Sequence, residues 1–237
     1  MKRYEKIVAN FSVEITKKRG QKNIYLRVKA PDARIVVSAP AICSDEMIEK
    51  FVLSNLGYIK KMQDKIKNEQ KNRYQFIQGE RHYLFGEPYQ LEVVYSSQKT
   101  AVQKSQSQII LTTPKNSSLE KRQKAIKEWY RDELKKTLDK SIEKCEVLSG
   151  LRANEYKIKQ MKTLWGSCNI AHKRVWLNLE LAKKPKICLE YVIIHELTHL
   201  IERGHTKRFY ALVEQFYPTW REAKKLLSNS FKGDYVV

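Results

Sequence analysis

Three of the five histidines in the chain lie within eleven residues, at positions 195, 199 and 205. The first two belong to the sequence His195-Glu196-Leu197-Thr198-His199, which is an H-E-x-x-H pattern. Residues four apart lie on the same face of an α-helix, so both imidazoles can reach one metal ion. Glu196 is rotated by about 100° from His195 around the helix axis. Its carboxylate can therefore reach a metal-bound water without binding the metal itself.

His205 is the candidate for a third ligand. A continuing helix would carry it about 15 Å along the axis from His195, so the chain must reverse first. Gly204 predicts that reversal, because glycine ends helices in the left-handed conformation without steric cost. Thr206 then predicts the N-cap of the next helix. Three imidazoles leave one coordination position open for water, and we therefore expect a single Zn²⁺ ion.

The chemistry expected of this site is hydrolysis of a peptide bond. A metal-activated water attacks the carbonyl carbon, and Glu196 acts as general base before passing the proton to the leaving amine. A zinc ion with a purely structural role usually has Cys or His as its fourth ligand, and Cys168 is the residue that would change the interpretation. An oxyanion stabiliser or substrate contact is also expected. The sequence leaves four candidates open: Tyr210, Arg174, His172 and Asn178.

The elements that must position these residues follow from hydrophobic periodicity. Alternating runs at 11–15, 24–28 and 35–37 predict a β-meander with a hairpin turn at Gly20, and Ser44 predicts the N-cap of a helix to about residue 68. A second β-rich stretch lies between 83 and 111. Farther along, the pattern predicts a long helix over 118–148, strands over 155–160 and 174–182, a helix from Pro185 to about Arg203, and helices over 207–216 and 219–227. The strand over 174–182 is interpreted either as a sheet edge beside the metal helix or as an internal strand. We find no internal repeat in the sequence.

Several motifs together resemble one known family. The segment Lys162-Thr163-Leu164-Trp165-Gly166-Ser167-Cys168, the strand containing Leu177-Asn178, the H-E-L-T-H sequence, and Gly204-His205 with Arg208-Phe209 resemble the YgjP-like zinc metallopeptidases. These are similar to the SprT-like and WLM peptidases. The resemblance is strongest over residues 155–220, and it implies a zincin active-site domain with three histidine ligands and Glu196 as general base. The sequence departs by having Leu164 where the family usually has Arg, whose role is vacant here or passes to Lys162 or Arg174.

The resulting expectation is an α+β protein with two parts. Residues 1–115 form a β-rich region with one helix, and residues 118–237 form a zincin-like metallopeptidase domain that contains the HExxH helix. The expected substrate is a protein or peptide. Two other functions stay open: a basic nucleic-acid-associated module with a structural or vestigial metal site, and a zinc hydrolase that acts on a non-peptide amide or ester.

The charge and the cysteine content of the chain indicate which classes of binding partner and which cellular compartment to expect. The chain carries 46 basic and 26 acidic residues, a formal charge of +20, and residues 152–186 hold nine of the basic residues against two acidic ones. Such a surface favours acidic or nucleic-acid-bound substrates, as does the resemblance to SprT-like proteins that act on DNA-attached proteins, although a solvated basic face explains it equally well. The four cysteines form no C-x-x-C pair, which excludes a zinc ribbon and a disulfide framework. Without a signal peptide or membrane span, we expect a cytoplasmic protein.

Overall fold

A computed structural model describes residues 2–71, 74–97 and 99–230 of the chain. Contacts between residues divide it into two compact units, Met1–Arg73 and Tyr74–Val237. Both units mix strands and helices, which confirms the predicted α+β class. None of the helices in the described ranges is long and apolar enough to cross a membrane.

The first unit is a four-stranded sheet followed by two helices. Its elements are β1 (Lys2–Val8), β2 (Phe11–Lys18), β3 (Tyr25–Lys29), β4 (Arg34–Pro40), α1 (Asp45–Ser54) and α2 (Leu56–Lys71). The strand order is β1-β2-β4-β3, with β2 and β4 parallel and the other pairs antiparallel. The predicted hairpin at Gly20 is therefore wrong. The parallel pairing sets the buried Val13 and Ile15 beside Ile35 and Val37, and alternation alone does not reveal which strand will be the partner.

The predicted single helix after Ser44 is two helices with a break at Asn55. Ser44 is the N-cap as predicted, and its hydroxyl accepts a hydrogen bond from the backbone N–H of Met47 at 3.2 Å. The Asn55 side chain donates to the carbonyl oxygen of Phe51 at 2.7 Å. Such a local side-chain bond competes with the helical backbone pattern, which explains the break.

The second unit begins with the same topology. Strands β5 (Arg81–Leu84), β6 (Glu87–Tyr95), β7 (Ala101–Lys104) and β8 (Gln108–Thr113) are followed by the long helix α3 (Leu119–Ser149). Their order is β5-β6-β8-β7, again with the two inner strands parallel and both outer pairs antiparallel. The chain thus contains a structural repeat that the sequence analysis did not find.

Two local features, a hairpin turn and a helix N-cap, repeat together with the strand topology. Each first hairpin has a two-residue turn in which both residues have positive φ: 49° and 67° at Ala9 and Asn10, 50° and 91° at Phe85 and Gly86. The serines before α1 and α3, Ser44 and Ser118, have the same backbone angles, φ −70° and ψ 159°, and each caps its helix. The two copies therefore share one turn geometry on different side chains, and both use a serine as the helix cap.

A third sheet, one short 3-10 helix and three α-helices complete the second unit. They are β9 (Glu155–Lys159), β10 (Gly166–Asn169), β11 (Arg174–Asn178), a 3-10 helix (Leu179–Lys183), α4 (Lys186–Thr198), α5 (Lys207–Phe216) and α6 (Trp220–Ser230). The sheet order is β10-β11-β9, so the strand expected over 174–182 is internal and β10 is at the edge. That strand stops at Asn178 because the Asn178 side chain accepts from the N–H of Glu180 at 3.2 Å and caps the 3-10 helix.

One continuous hydrophobic core joins the second four-stranded sheet to the HExxH helix. Buried Ile109 of β8, Ile126 of α3, Val175 of β11 and Ile193 of α4 all belong to it. The division of the chain after residue 73 therefore differs from the boundary at 115–118 expected from the sequence. At the expected boundary, a linker that contains proline ends a strand. The apolar contacts of the core nevertheless continue on both sides of this linker.

Candidate metal centre

Helix α4 carries the first two histidines of the cluster. Nine of its 13 residues are buried, which makes it the central helix of the second unit. His195 lies in its last turn and His199 is its C-cap. The helix is thus shorter than the predicted one, which ran to Arg203.

The chain reverses after α4 through a tight turn that backbone hydrogen bonds stabilise. The N–H of Leu200 bonds to the carbonyl of Leu197 at 2.9 Å, and that of Ile201 bonds to the carbonyl of Thr198 at 3.1 Å. The reversal was predicted, but its cause was not: Gly204 lies beyond the turn and has no positive φ. Thr206 caps α5 as predicted, and its hydroxyl accepts from the N–H of Phe209 at 3.2 Å.

This reversal brings the three imidazoles together. One potential ligand atom from each of His195, His199 and His205 lies within 4.8 Å of the other two. The ring centroids are 5.0 Å apart for His195 and His199, and 4.9 Å apart for each pair that includes His205.

The aromatic ring of Phe209 packs against all three histidine rings. Its centroid is 4.8 Å from that of His195, 4.7 Å from that of His199 and 4.9 Å from that of His205. Phe209 is fully buried at the start of α5. The sequence predicted the helix over 207–216 but gave no sign that Phe209 contacts all three histidine rings.

The protonation of the rings fits a divalent cation. Burial, followed by the neighbouring His199 and His205, lowers the pKa of His195 to about 3, and burial also lowers the pKa of His205. The Nε2 atoms of these two rings are 2.9 Å apart, so the two rings direct a nitrogen toward the same point. Nδ1 of His199 lies 3.1 Å from the carbonyl oxygen of Glu202, and a proton donated there leaves Nε2 free. Three imidazole nitrogens are a ligand set that suits zinc.

Glu196 lies beside the three histidines and is nearly inaccessible to solvent. Its side chain lines the same cleft as the three histidines, and the residue is only 5% exposed. Burial raises the pKa of its carboxyl group to about 8. A cation held by the histidines would favour the ionised form by Coulombic attraction.

The cleft above these residues has a volume of about 470 Å³. One wall comes from the segment that contains β10 and the other from α4 and the loop that follows it. The segment Trp165-Gly166-Ser167-Cys168 is mostly strand and lines the cleft. The lining residues are Thr163, Leu164, Trp165, Gly166, Ser167, Cys168, Ile170, Tyr191, Val192, His195, Glu196, His199, Arg203, His205 and Leu227.

Cys168 shares the cleft without joining the histidines. Among the residues that the structure describes, the close group of potential ligand atoms holds the three histidines and not this sulfur. Burial, and then the nearby Glu196, raises the pKa of its thiol to about 11. The position of this sulfur outside the close group disfavours Cys168 as a fourth ligand.

The four candidates for oxyanion or substrate contacts lie in different places. Asn178 is buried and fully engaged: it accepts from the N–H groups of Met161 and Glu180 and donates to the carbonyls of Met161 and Leu164. It therefore holds the segment that forms the cleft wall.

The other three candidates are outside the described lining of the cleft. Arg174 forms an ion pair with Glu155, and His172 is exposed in the turn before β11. Tyr210 is the nearest to the three histidines, with its ring stacked 6.2 Å from that of His205. Sequence reasoning missed Arg203, an exposed cation at the cleft, and the role of Gly166, whose position inside a strand is a known signal of close backbone approach.

Comparisons with known proteins agree with this geometry. Residues 22–230 match the family model described as YgjP-like, metallopeptidase domain. The chain belongs to the YgjP-like family. This membership supports a protease that acts on peptide or protein substrates and requires a metal, and it gives no support for a nucleic-acid partner.

One solved structure is also similar to part of this YgjP-like chain. It is the metallopeptidase zymogen abylysin of Pyrococcus abyssi, with 18% sequence identity and a TM-score of 0.37. The similar region covers 41% of this chain and 98% of abylysin. A search of curated proteins finds no match.

Proposed function

We propose that this protein is a zinc-dependent metallopeptidase of the HExxH-x5-H type. His195, His199 and His205 would hold one Zn²⁺ ion, and Glu196 would act as general base. The observation that carries the proposal is the convergence of three imidazole donors within 4.8 Å in the cleft that also contains the Glu196 carboxylate. Three nitrogen donors with a nearby unligated carboxylate favour a catalytic zinc over a structural one.

A zinc ion supplies Lewis acidity, which polarises a peptide carbonyl and makes a water more acidic. Glu196 accepts the proton from the attacking water and returns it to the nitrogen of the leaving amine. Since Glu196 is only 5% exposed, bulk water does not compete for this proton transfer. Phe209 fixes the three rings by packing rather than by polar contacts, and the carbonyl of Glu202 orients the ring of His199.

The substrate would bind as an extended strand beside β10. This strand is at the edge of its sheet, and its first three residues line the cleft. A peptide added there gains backbone hydrogen bonds in the manner of a further strand. Apolar Leu164, at 54% exposure, offers a contact for a substrate side chain, and Tyr210 and Arg203 are the proposed donors to the developing oxyanion.

The test compares Glu196→Gln with His205→Ala in the full-length protein. Glu196→Gln keeps the shape of the side chain and removes the proton acceptor. We expect it to lower peptidase activity by at least about 10²-fold while one zinc per chain is retained. His205→Ala removes a ligand and should lower both zinc content and activity. Cleavage of unfolded proteins and peptides, with zinc measured by mass spectrometry, provides both readouts.

His172→Ala is the matched control for zinc content, because His172 is exposed and outside the cleft. Undiminished tight zinc in His205→Ala would identify another donor and contradict the proposed site. Hydrolysis of small esters without cleavage of any peptide would instead favour a non-peptide hydrolase.

We also propose that the protein works in the cytoplasm. All four cysteines, Cys43, Cys145, Cys168 and Cys188, are free thiols, which suits a reducing compartment.

A further inference from the structure

Gly166 is the first residue of β10 and lies against the side chain of Glu196. A Cβ atom at this position would be 2.5 Å from Oε1 of Glu196 and 2.7 Å from its Cγ. It would also be 2.8 Å from a methyl group of Val192. These distances are well below van der Waals contact, so the side chain of Glu196 occupies the space that any other residue at 166 would need.

Backbone conformation does not explain this glycine. Its φ is outside the positive range, unlike that of Gly86 or Gly150. Gly166 pairs in ordinary antiparallel register with the buried Leu177 of β11. Any L-residue could adopt this backbone, and the requirement for glycine therefore comes from the close approach of α4.

We infer that Gly166 is a positioning residue for Glu196, on the condition that Glu196 is the general base proposed above. The missing side chain lets the carboxylate lie directly against the backbone of the edge strand. The clash also involves Cγ of Glu196 and a methyl group of Val192, which is 3% exposed, so rotation of the carboxylate alone does not relieve it. A methyl group at 166 would therefore push the carboxylate out of its place instead of being absorbed.

The location of Gly166 links the base to the substrate. The same residue touches Glu196 and belongs to the strand along which we propose that the peptide lies. The separation of base and scissile bond would then be set by one backbone contact. Misplacing a catalytic group by about 1 Å can cost about 10²-fold in rate.

The experiment compares Gly166→Ala in two backgrounds. In the otherwise native protein we expect kcat to fall by about 10²-fold, with KM and zinc content nearly unchanged. In a Glu196→Asp background the carboxylate oxygens lie farther from Gly166 while Cγ is retained, and the added methyl should cost clearly less than about 10²-fold beyond the effect of Glu196→Asp alone. Gly57→Ala is the matched control, because Gly57 has a regular backbone and nothing within 4 Å of its Cβ position.

A second readout does not depend on activity. Gly166→Ala should lower the thermal midpoint of the native protein and lower it less in a Glu196→Ala background, where the clashes with Oε1 and Cγ are absent and only the one with Val192 remains. Equal losses in both backgrounds, or an unchanged kcat in an active Gly166→Ala enzyme, would overturn the inference. If the native protein cleaves no peptide, the proposed function fails, while the two thermal midpoints still decide whether Gly166 positions Glu196.

Discussion

The first and second four-stranded sheets have the same topology but different surroundings. The first, β1–β4, packs with α1 and α2 around a core of ten buried residues. The second, β5–β8, belongs to a core of 29 buried residues that includes α4. Its first hairpin turn also bonds to the segment before α4, since the N–H groups of Phe85 and Gly86 donate to the carbonyls of Ala182 and Lys183 at 2.8 and 3.3 Å. Topology alone therefore does not decide whether such a layer supports a catalytic site.

The largest expected difference is at two equivalent core isoleucines. Ile35 in β4 and Ile109 in β8 are both buried and lie five residues before a strand-ending proline. We expect Ile35→Ala and Ile109→Ala each to lower the free energy of unfolding of its own unit by about 2–5 kcal/mol. Only Ile109→Ala should also weaken zinc binding and peptidase activity.

Urea unfolding can separate these effects. All four tryptophans are in the second unit, so their fluorescence reports on that unit, and hydrogen exchange reports on the first. A tryptophan transition shifted as far by Ile35→Ala as by Ile109→Ala would show that the two units unfold together.

A smaller difference is expected at the second residue of each hairpin turn. Asn10 and Gly86 both have positive φ, which asparagine and glycine tolerate. Gly86→Asn adds a Cβ atom 2.8 Å from the ring of Pro185 and should cost about 1–3 kcal/mol. Asn10→Gly should change stability by less than about 1 kcal/mol, because Asn10 is exposed. Thermal unfolding measures both, and equal costs would show that contact with Pro185 does not distinguish the turns.

Acid should affect the second unit first. His82 in β5 is fully buried, and burial lowers its pKa, opposed by Glu80 and reinforced by Lys183. Because the unfolded state takes up the proton near pH 6.5, the second unit should lose stability as the pH falls below 6.5, by at most about 1.4 kcal/mol per pH unit from this group. At the equivalent place before the first hairpin is Lys6, which is ion-paired with Glu49.

His82→Phe tests this difference. It keeps an aromatic ring against Tyr74, whose ring is stacked 4.3 Å from that of His82, and removes the titratable group. Unfolding measured between pH 7 and 5 should become less pH-dependent in the second unit and stay unchanged in the first. An unaltered pH dependence in the variant would exclude His82 as the cause.

The smallest effects are expected at the two serine caps, and they should be equal. Ser44→Ala and Ser118→Ala each remove one hydrogen bond from a helix start and should cost about 1 kcal/mol. Urea midpoints of the two units check this. A clearly larger cost at Ser118 would mean that the cap of α3 is coupled to the larger core.

Local features of the fold are readable from the sequence, and long-range pairings are not. The caps predicted at Ser44 and Thr206 depend on a few neighbouring residues, and both are present. The pairing of β2 with β4 depends on which buried faces fit together, which alternation does not encode. The repeat is similarly hidden, since its equivalent positions Ile35 and Ile109, Pro40 and Pro114, and Ser44 and Ser118 share a spacing of 74 residues but few other identities.

The candidate site shows the same division. The spacing of His195 and His199, together with the position of His205, was enough to predict that the three rings meet, because helix geometry and one chain reversal determine it. The contacts of Phe209 and Gly166 involve elements that are distant in sequence, and no local pattern reports them. Asn178 was predicted as a possible oxyanion or substrate contact, whereas its side chain bonds to a segment 14–17 residues away that no local pattern reports.

The early end of α4 has a thermodynamic consequence. Because the helix stops at Thr198, His205 reaches the other two rings from a segment with few helical hydrogen bonds of its own. An ion held by all three would cross-link residues 195 and 205, and closing such a short ring restricts the chain. Stability of this segment would then rise with the logarithm of free zinc concentration. A chelator would destabilise this segment as a denaturant does. Catalytic activity and the order of the segment would then both depend on the free zinc concentration.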